Sequence, residues 1–327
     1  MLWLAWRQFR AQAAVAFGAA VVVIVALVVT REHVVATYSS TGDGNLTGFY
    51  VWLRLLGTAL IGVPAIIGAF WGAPLLTREF EDRTFRMAWT QSVTRTRWLA
   101  TKLAVIGAAT IVAVAAFALV FTWWSVPIDS TGNRIGTANF AQRGIVPIGY
   151  ALFGLSLGAL AGTILRRTIP SMAASLTGFF VVRILVQRVV RTHLIATQSV
   201  TTPSFASNGL HGWVVSTRTV DPAGQTISTK TAENLLTAAC NITRATQDVD
   251  GALADCAQRI GIRDIAQVHT ADQFWALQAA EFGLFLGLTA ITAAACFWWL
   301  NHRSARPPSQ VQALPSSEAT ISVLPSV

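Results

Sequence analysis

The chain has 327 residues, of which 53% are hydrophobic and 12% charged, and its mean hydropathy is +0.53. A soluble globular domain carries about 25% charged residues, and here the apolar residues gather into long uncharged runs, so a pair of soluble domains is excluded. Three cysteines exclude a disulfide-dense mini-protein, and the hydrophobicity excludes intrinsic disorder. The net charge of +9 does not point to nucleic acid, because the basic residues sit in short segments between apolar runs and form no stripe with interleaved aromatics.

In chain order, Leu2, Trp6, Phe9 and Ala13 share one helical face, with Arg7 and Arg10 turned away. This predicts an interfacial amphipathic helix over 1–10. A membrane helix needs about 20 apolar residues to cross a core of about 30 Å. Four uncharged runs meet that length: Ala11–Thr30, Leu55–Leu76, Leu103–Val126 and Gly144–Leu165. A cleaved signal peptide competes for the first run. Yet the run is longer than a usual signal core, and no small-x-small cleavage site precedes Tyr38, so it is read as a retained span. Two more runs contain ionisable groups: Ile169–Val190, with Arg183 and Arg188, and Phe274–Leu300, with Glu281. The expected fold is an all-α polytopic membrane protein of six transmembrane helices. Spans one to five lie within 11–190 and the sixth over 274–300, because lipid offers backbone N–H and C=O groups no partner outside a helix.

Basic residues orient such a chain. Arg7 and Arg10 precede the first run, and Arg78, Arg83, Arg86, Arg95, Arg97 and Lys102 follow the second. Arg166 and Arg167 follow the fourth, Arg303 and Arg306 the sixth, against Arg31, Arg134 and Arg143 on the other side. Both termini are therefore expected in the cytoplasm of a multi-pass plasma-membrane protein. Residues 191–273 then form a small extracytoplasmic domain between helices 5 and 6, and 301–327, rich in Pro and Ser, a disordered cytoplasmic tail. Cys240 and Cys256 lie in that outer segment, where an oxidising environment favours a disulfide over two separate thiols. Cys296 reads as a small buried hydrophobe.

Two charges fall inside the spans. Arg183 and Glu281 each lie about eight residues from the outer ends of their spans, roughly 12 Å deep, and are expected to pair, with Gln187 and Gln278 on the same faces. A static ion pair and a gating role both fit that placement. Arg188 and Arg191, nearer the interface, are expected to snorkel.

Catalytic signatures fail on context. Gly154-Leu-Ser156-Leu-Gly158 has the spacing of a nucleophile elbow but lies mid-span, and no histidine falls within a span. Gly154, Gly158 and Gly162 instead recur every fourth residue, the pattern of a groove for close helix packing. The two lysines, Lys102 and Lys230, each follow a threonine, so the phosphate-binding loop ending in Gly-Lys-Ser/Thr is absent from this sequence. No metal-ligand spacing appears.

The segment between the second and third spans, 77–102, carries Glu79, Glu81 and Asp82 one turn ahead of Arg83 and Arg86, which suits a charged helix with i, i+4 pairs. Here the sequence resembles the permease subunits of type-2 ABC exporters, whose loop runs from acidic residues through Gly-Thr and a Ser/Thr-Pro-Val-Ser-Arg stretch to a lysine. This chain supplies Glu79 and Glu81, Thr84, the stretch Gln91-Ser92-Val93-Thr94-Arg95 and Lys102 over those positions, with two departures. Arg83 stands where glycine is usual and Ser92 where proline often does. The stretch Asp272–Glu281 is similar to actinobacterial members of that family. The resemblance implies that this chain binds no cofactor itself and works with a cytoplasmic ATPase subunit that holds ATP and Mg. It further implies a second permease copy, a membrane-lipid setting, and an ATPase-coupling role for the 77–102 loop. Apolar spans without a dedicated charged pocket suit a drug-like, lipid or peptide cargo alike. A membrane sensor whose outer domain detects a ligand is the competing reading, but it needs a signalling domain that the tail after Arg306 is too short to supply.

Overall fold

The computed structural model describes residues 14, 18, 20–32, 35–36, 61–81, 94–126, 135, 140–205, 212–240 and 249–303. The predicted helix over 1–10, the loop residues Arg83, Thr84, Gln91 and Ser92, and the tail beyond 303 lie outside them. A helix over 20–32 (α1) comes first. Val63–Ile67 (α2), a π turn at Gly68–Gly72 and Pro74–Glu81 (α3) then follow one another in helical backbone. Next come Arg95–Ser125 (α4), Val146–Leu165 (α5) and Thr168–Leu185 (α6), the last extended by a π turn at Val186–Val190 and a 3-10 turn at Arg191–His193. A final helix, Phe274–Arg303 (α9), closes the bundle. Among the described residues, four segments are long and apolar enough to cross a membrane: Arg95–Ser125, Val146–Leu165, Thr168–His193 and Ala271–His302. The first two predicted spans are described only in part, and their described parts are helical apart from turn residues at Ile61, Gly62 and Ala73.

Local chemistry sets the helix ends. Thr94 caps α4, its Oγ1 accepting the Arg97 N–H at 3.3 Å, which satisfies one of the orphan donors of a first turn. α5 begins with Pro147 in its first turn. It stops at Arg166, which turns into the left-handed region (φ 55°) and donates its N–H to Gly162 O at 3.0 Å. Only Arg166 and Arg167 then separate α5 from α6.

α5 is the centre of the bundle. Of its most apolar stretch 67% is buried, against 28%, 28% and 17% for α4, the extended α6 and α9. Its small residues make this possible. A Cβ added at Gly154, Gly158 or Gly162 would run into the backbone carbonyls of Pro64, Gly68 and Ala73 respectively. Those contact residues are spaced four, then five, while the glycines are spaced four and four. The π turn absorbs the extra residue, with Ala73 N–H donating to Gly68 O at 2.9 Å, so three successive carbonyls stay in register with the groove. Rising residue numbers match rising numbers here, so α2–α3 and α5 run in the same direction. The same holds for α5 and α9, joined by Tyr150–Glu281, Ser156–Thr292 and Thr163–Cys296.

The expectation of an all-α chain fails between 198 and 270. Strands β1 (Gln198–Pro203), β2 (Gly212–Val220), β3 (Thr226–Ile227) and β4 (Arg263–Thr270) form an antiparallel sheet in the order β1-β4-β2-β3. Helices Thr229–Cys240 (α7) and Val249–Ile260 (α8) join it through a core of Ala232, Leu236, Leu253, Cys256, Ala257 and Ile262. A search for long apolar runs is blind to such strands, whose β-branched residues (Val214, Val215, Thr217, Thr219, Val220) suit a pleated, half-buried surface instead. Asp264 ties three segments together, accepting from Ser204 Oγ at 3.1 Å and Thr219 Oγ1 at 2.6 Å.

Cys240 and Cys256 are joined in a disulfide, 16 residues apart with Cα atoms separated by 6.2 Å, linking α7 to α8. Closing a loop of that length contributes about 3 kcal/mol by the chain-entropy account. The Cys240→Ser and Cys256→Ser variants are each expected to lower the melting temperature under non-reducing conditions. Wild type with reductant should fall to the same value.

Candidate functional site: a buried charge cluster and a loop platform

Four polar side chains from three helical segments converge at the sheet end of the bundle. Arg183 Nη1 lies 3.4 Å from Glu281 Oε1, and Arg191 Nε lies 3.5 Å from Glu281 Oε2. Tyr150 donates its hydroxyl to Glu281 Oε1 at 2.5 Å. All four side chains are buried. One carboxylate thus faces two guanidinium groups, and aromatic faces supply the remaining stabilisation. The Arg183 guanidinium lies 4.3 Å from the centre of the Tyr150 ring, and Arg191 lies 3.8 Å from that of Phe140 and 4.6 Å from that of Trp213. Arg191 Nη2 also donates to Ile135 O at 3.1 Å.

Arg191 does not snorkel: it is 0% exposed. Eight residues along a regular α-helix rotate about 80° past two full turns, which would point Arg191 away from Arg183. The π turn at Val186–Val190 takes up one residue, so the effective separation is close to seven and the two arginines share a face. Sequence reasoning also missed Tyr150 and Trp213. A tyrosine inside an otherwise apolar run was the one visible signal, because a buried phenol needs a hydrogen-bond acceptor. Trp213 comes from β2 and stacks on His269 of β4 at 5.3 Å, so the cluster is in contact with the sheet.

Gln278, one turn before Glu281, has a different task. Its Oε1 accepts the N–H groups of Ile145 (3.1 Å) and Val146 (3.0 Å), and its Nε2 donates to Phe140 O at 3.1 Å. It therefore caps α5 from a neighbouring helix.

At the opposite end, the described edges of the 77–102 loop are tied down. Glu79 pairs with Lys102, whose ammonium also lies 4.6 Å from the centre of the Trp98 ring. Glu81 accepts the Thr168 N–H and hydroxyl, each at 2.8 Å, and Thr168 Oγ1 is 2.8 Å from Thr77 Oγ1. A carboxylate at the N-terminus of α6 also meets the positive end of its dipole. α3 is thus fastened to α4 by Glu79 and to α6 by Glu81.

The Thr168 backbone N–H, then its hydroxyl, and Arg167 hold the Glu81 carboxyl below the ordinary carboxylate range. A depressed folded-state value means that the contribution to stability is complete above about pH 4.3, where the unfolded carboxyl titrates. It is lost as pH falls through the lowered value. The Glu81→Gln variant is therefore expected to melt below wild type at neutral pH. The gap should narrow on acidification below about pH 4, as read by melting curves in detergent.

Ser156, the centre of the nucleophile-elbow spacing, hydrogen-bonds Thr292 Oγ1 at 2.6 Å and Phe153 O at 3.0 Å, and among the described residues no histidine bonds to it. Its surroundings are those of a packing hydroxyl.

Long apolar helices packed around a small-residue core are the architecture of a membrane-embedded protein. Residues 13–191 match the family model described as ABC-2 membrane transporter related. More than half of the chain is covered, and the chain belongs to this family of ABC-2-type permeases. No curated protein and no solved structure matches it.

Proposed function

We propose that the chain is the membrane-spanning subunit of an ABC exporter, which moves a drug-like, lipid or peptide cargo outward using a separate cytoplasmic ATPase. The family match over 13–191 carries this reading. The loop supports it mechanically: a partner pushing on 77–102 acts on α3, α4 and α6 together through Glu79–Lys102 and Glu81–Thr168, the stiff lever that such coupling needs. ATP and Mg sit on the partner, and a second permease copy, identical or related, completes the transporter. Both termini face the cytoplasm, and the sheet with α7 and α8 faces outward. With Arg54 added to Arg31, Arg134 and Arg143, four basic residues lie on the outer side against the twelve named for the inner, so the excess stands.

The test is co-purification of the chain with an ATPase encoded beside it, followed by ATPase assays in proteoliposomes. Glu79→Ala and Arg95→Ala are expected to reduce cargo-stimulated hydrolysis at least tenfold. Nucleotide turnover by the purified chain alone, or labelling of residues 78–102 only from the exterior, would overturn the proposal.

A further inference from the structure

An apolar groove of about 850 Å³ runs along the bundle between α1, α2–α3, α4 and the starts of α5 and α6. Its volume is at the upper end of the roughly 300–1,000 Å³ typical of ligand sites. Phe70, Trp71, Val114, Phe117 and Met172 are among its walls, and among the described lining residues Arg78 supplies the one charge. From Ile61 to Arg78 the groove follows 17 residues of helical rod, about 25 Å. The π turn at Gly68–Gly72 lies halfway along, and both Phe70 and Trp71 reach the lining from it.

We propose that this groove binds an acidic membrane phospholipid, with an acyl chain against the apolar wall and the headgroup phosphate on Arg78. The occupant follows from the distribution of polarity. A wall without charge for most of its length accepts hydrocarbon, and a cation at one end accepts an anion. Ile66 and Phe70 are half-exposed, so the groove is open sideways to the bilayer. One leaflet covers about half of the roughly 30 Å hydrocarbon core, so a chain entering at the Arg78 end fits within the groove. Among the described residues, the neighbouring carboxylates are committed elsewhere: Glu79 to Lys102, and Glu81 to the N-terminus of α6. Exposed arginine at a membrane surface attracts acidic headgroups, and here the apolar slot beside it selects a lipid over a free anion. The site is a binding site whether or not the chain transports its occupant.

Native mass spectrometry of the purified full chain, delipidated and then incubated with phosphatidylglycerol or phosphatidylcholine of identical chains, tests this. Wild type is expected to retain phosphatidylglycerol at least fivefold over phosphatidylcholine. Arg78→Glu should abolish the preference, Arg78→Lys should keep it, and Arg97→Glu, an exposed charge at the same end, should leave it unchanged. Equal retention of the two lipids by wild type, or a preference that survives Arg78→Glu, would overturn the proposal. So would a Phe70→Cys variant that crosslinks two copies whether or not lipid is present, because the groove would then belong to a second copy.

Discussion

Glu281→Ala is expected to cost about 3–5 kcal/mol, the cost of leaving a buried charge without its partner. The loss strands two cations, since Arg183 and Arg191 both face that one carboxylate. Glu281→Gln keeps an acceptor for Tyr150 but not the charge, and should lie between wild type and the alanine variant. Tyr150→Phe removes one hydrogen bond and is expected to cost about 1–3 kcal/mol. The Arg183→Ala/Glu281→Ala double variant discriminates further. An isolated pair would show strong compensation, whereas here Arg191 stays unpaired and the double variant should remain well below wild type. Melting curves in detergent and the yield from the membrane fraction read all four. A Glu281→Ala protein as stable as wild type would show that the cluster holds nothing together.

Gly158→Val should be the most damaging substitution in the α5 groove. Its side chain would meet the backbone carbonyl of Gly68 and also the Ala73 nitrogen at 2.9 Å. Neither neighbour is the end of a flexible side chain, so the helices must separate. Overpacking costs about 1–3 kcal/mol and occasionally more, and contact between rigid backbones places this case at the upper end. Gly283→Ala and Gly287→Ala in α9 are the controls, because a Cβ there meets nothing within 4 Å. They should be neutral or slightly stabilising, since alanine is the better helix former by about 1 kcal/mol. If Gly158→Val and Gly283→Ala gave equal yield and equal melting temperature, close packing of α2–α3 on α5 would be refuted.

Much of the layout was legible because the lipid requirement is written into composition. Apolar runs of about 20 residues marked the helices now seen as α4 and α5, which carry no charge in those runs, and the extended α6 and α9, which carry Arg183, Arg188 and Glu281. The spacing of Gly154, Gly158 and Gly162 announced a close approach without naming the partner, although Gly68 and Gly72 repeat the same spacing. Arg183 and Glu281 were matched by equal depth alone, an argument that needs only the rise per residue. The strands of 198–270 were not legible, since short half-polar strands leave no run of apolar residues to count.

What the sequence determined by itself was how many apolar segments there are, where charge enters them, and to which family the loop belongs. Tertiary structure decided the rest through two π turns. One extra residue at Gly68–Gly72 keeps three carbonyls on three glycines, and one at Val186–Val190 swings Arg191 from lipid onto Glu281. A π turn lacks a residue-level signature because it is not a local preference. It forms where packing on both sides of the turn recovers more than the local helix loses, and that balance exists only once the neighbouring helices are in place.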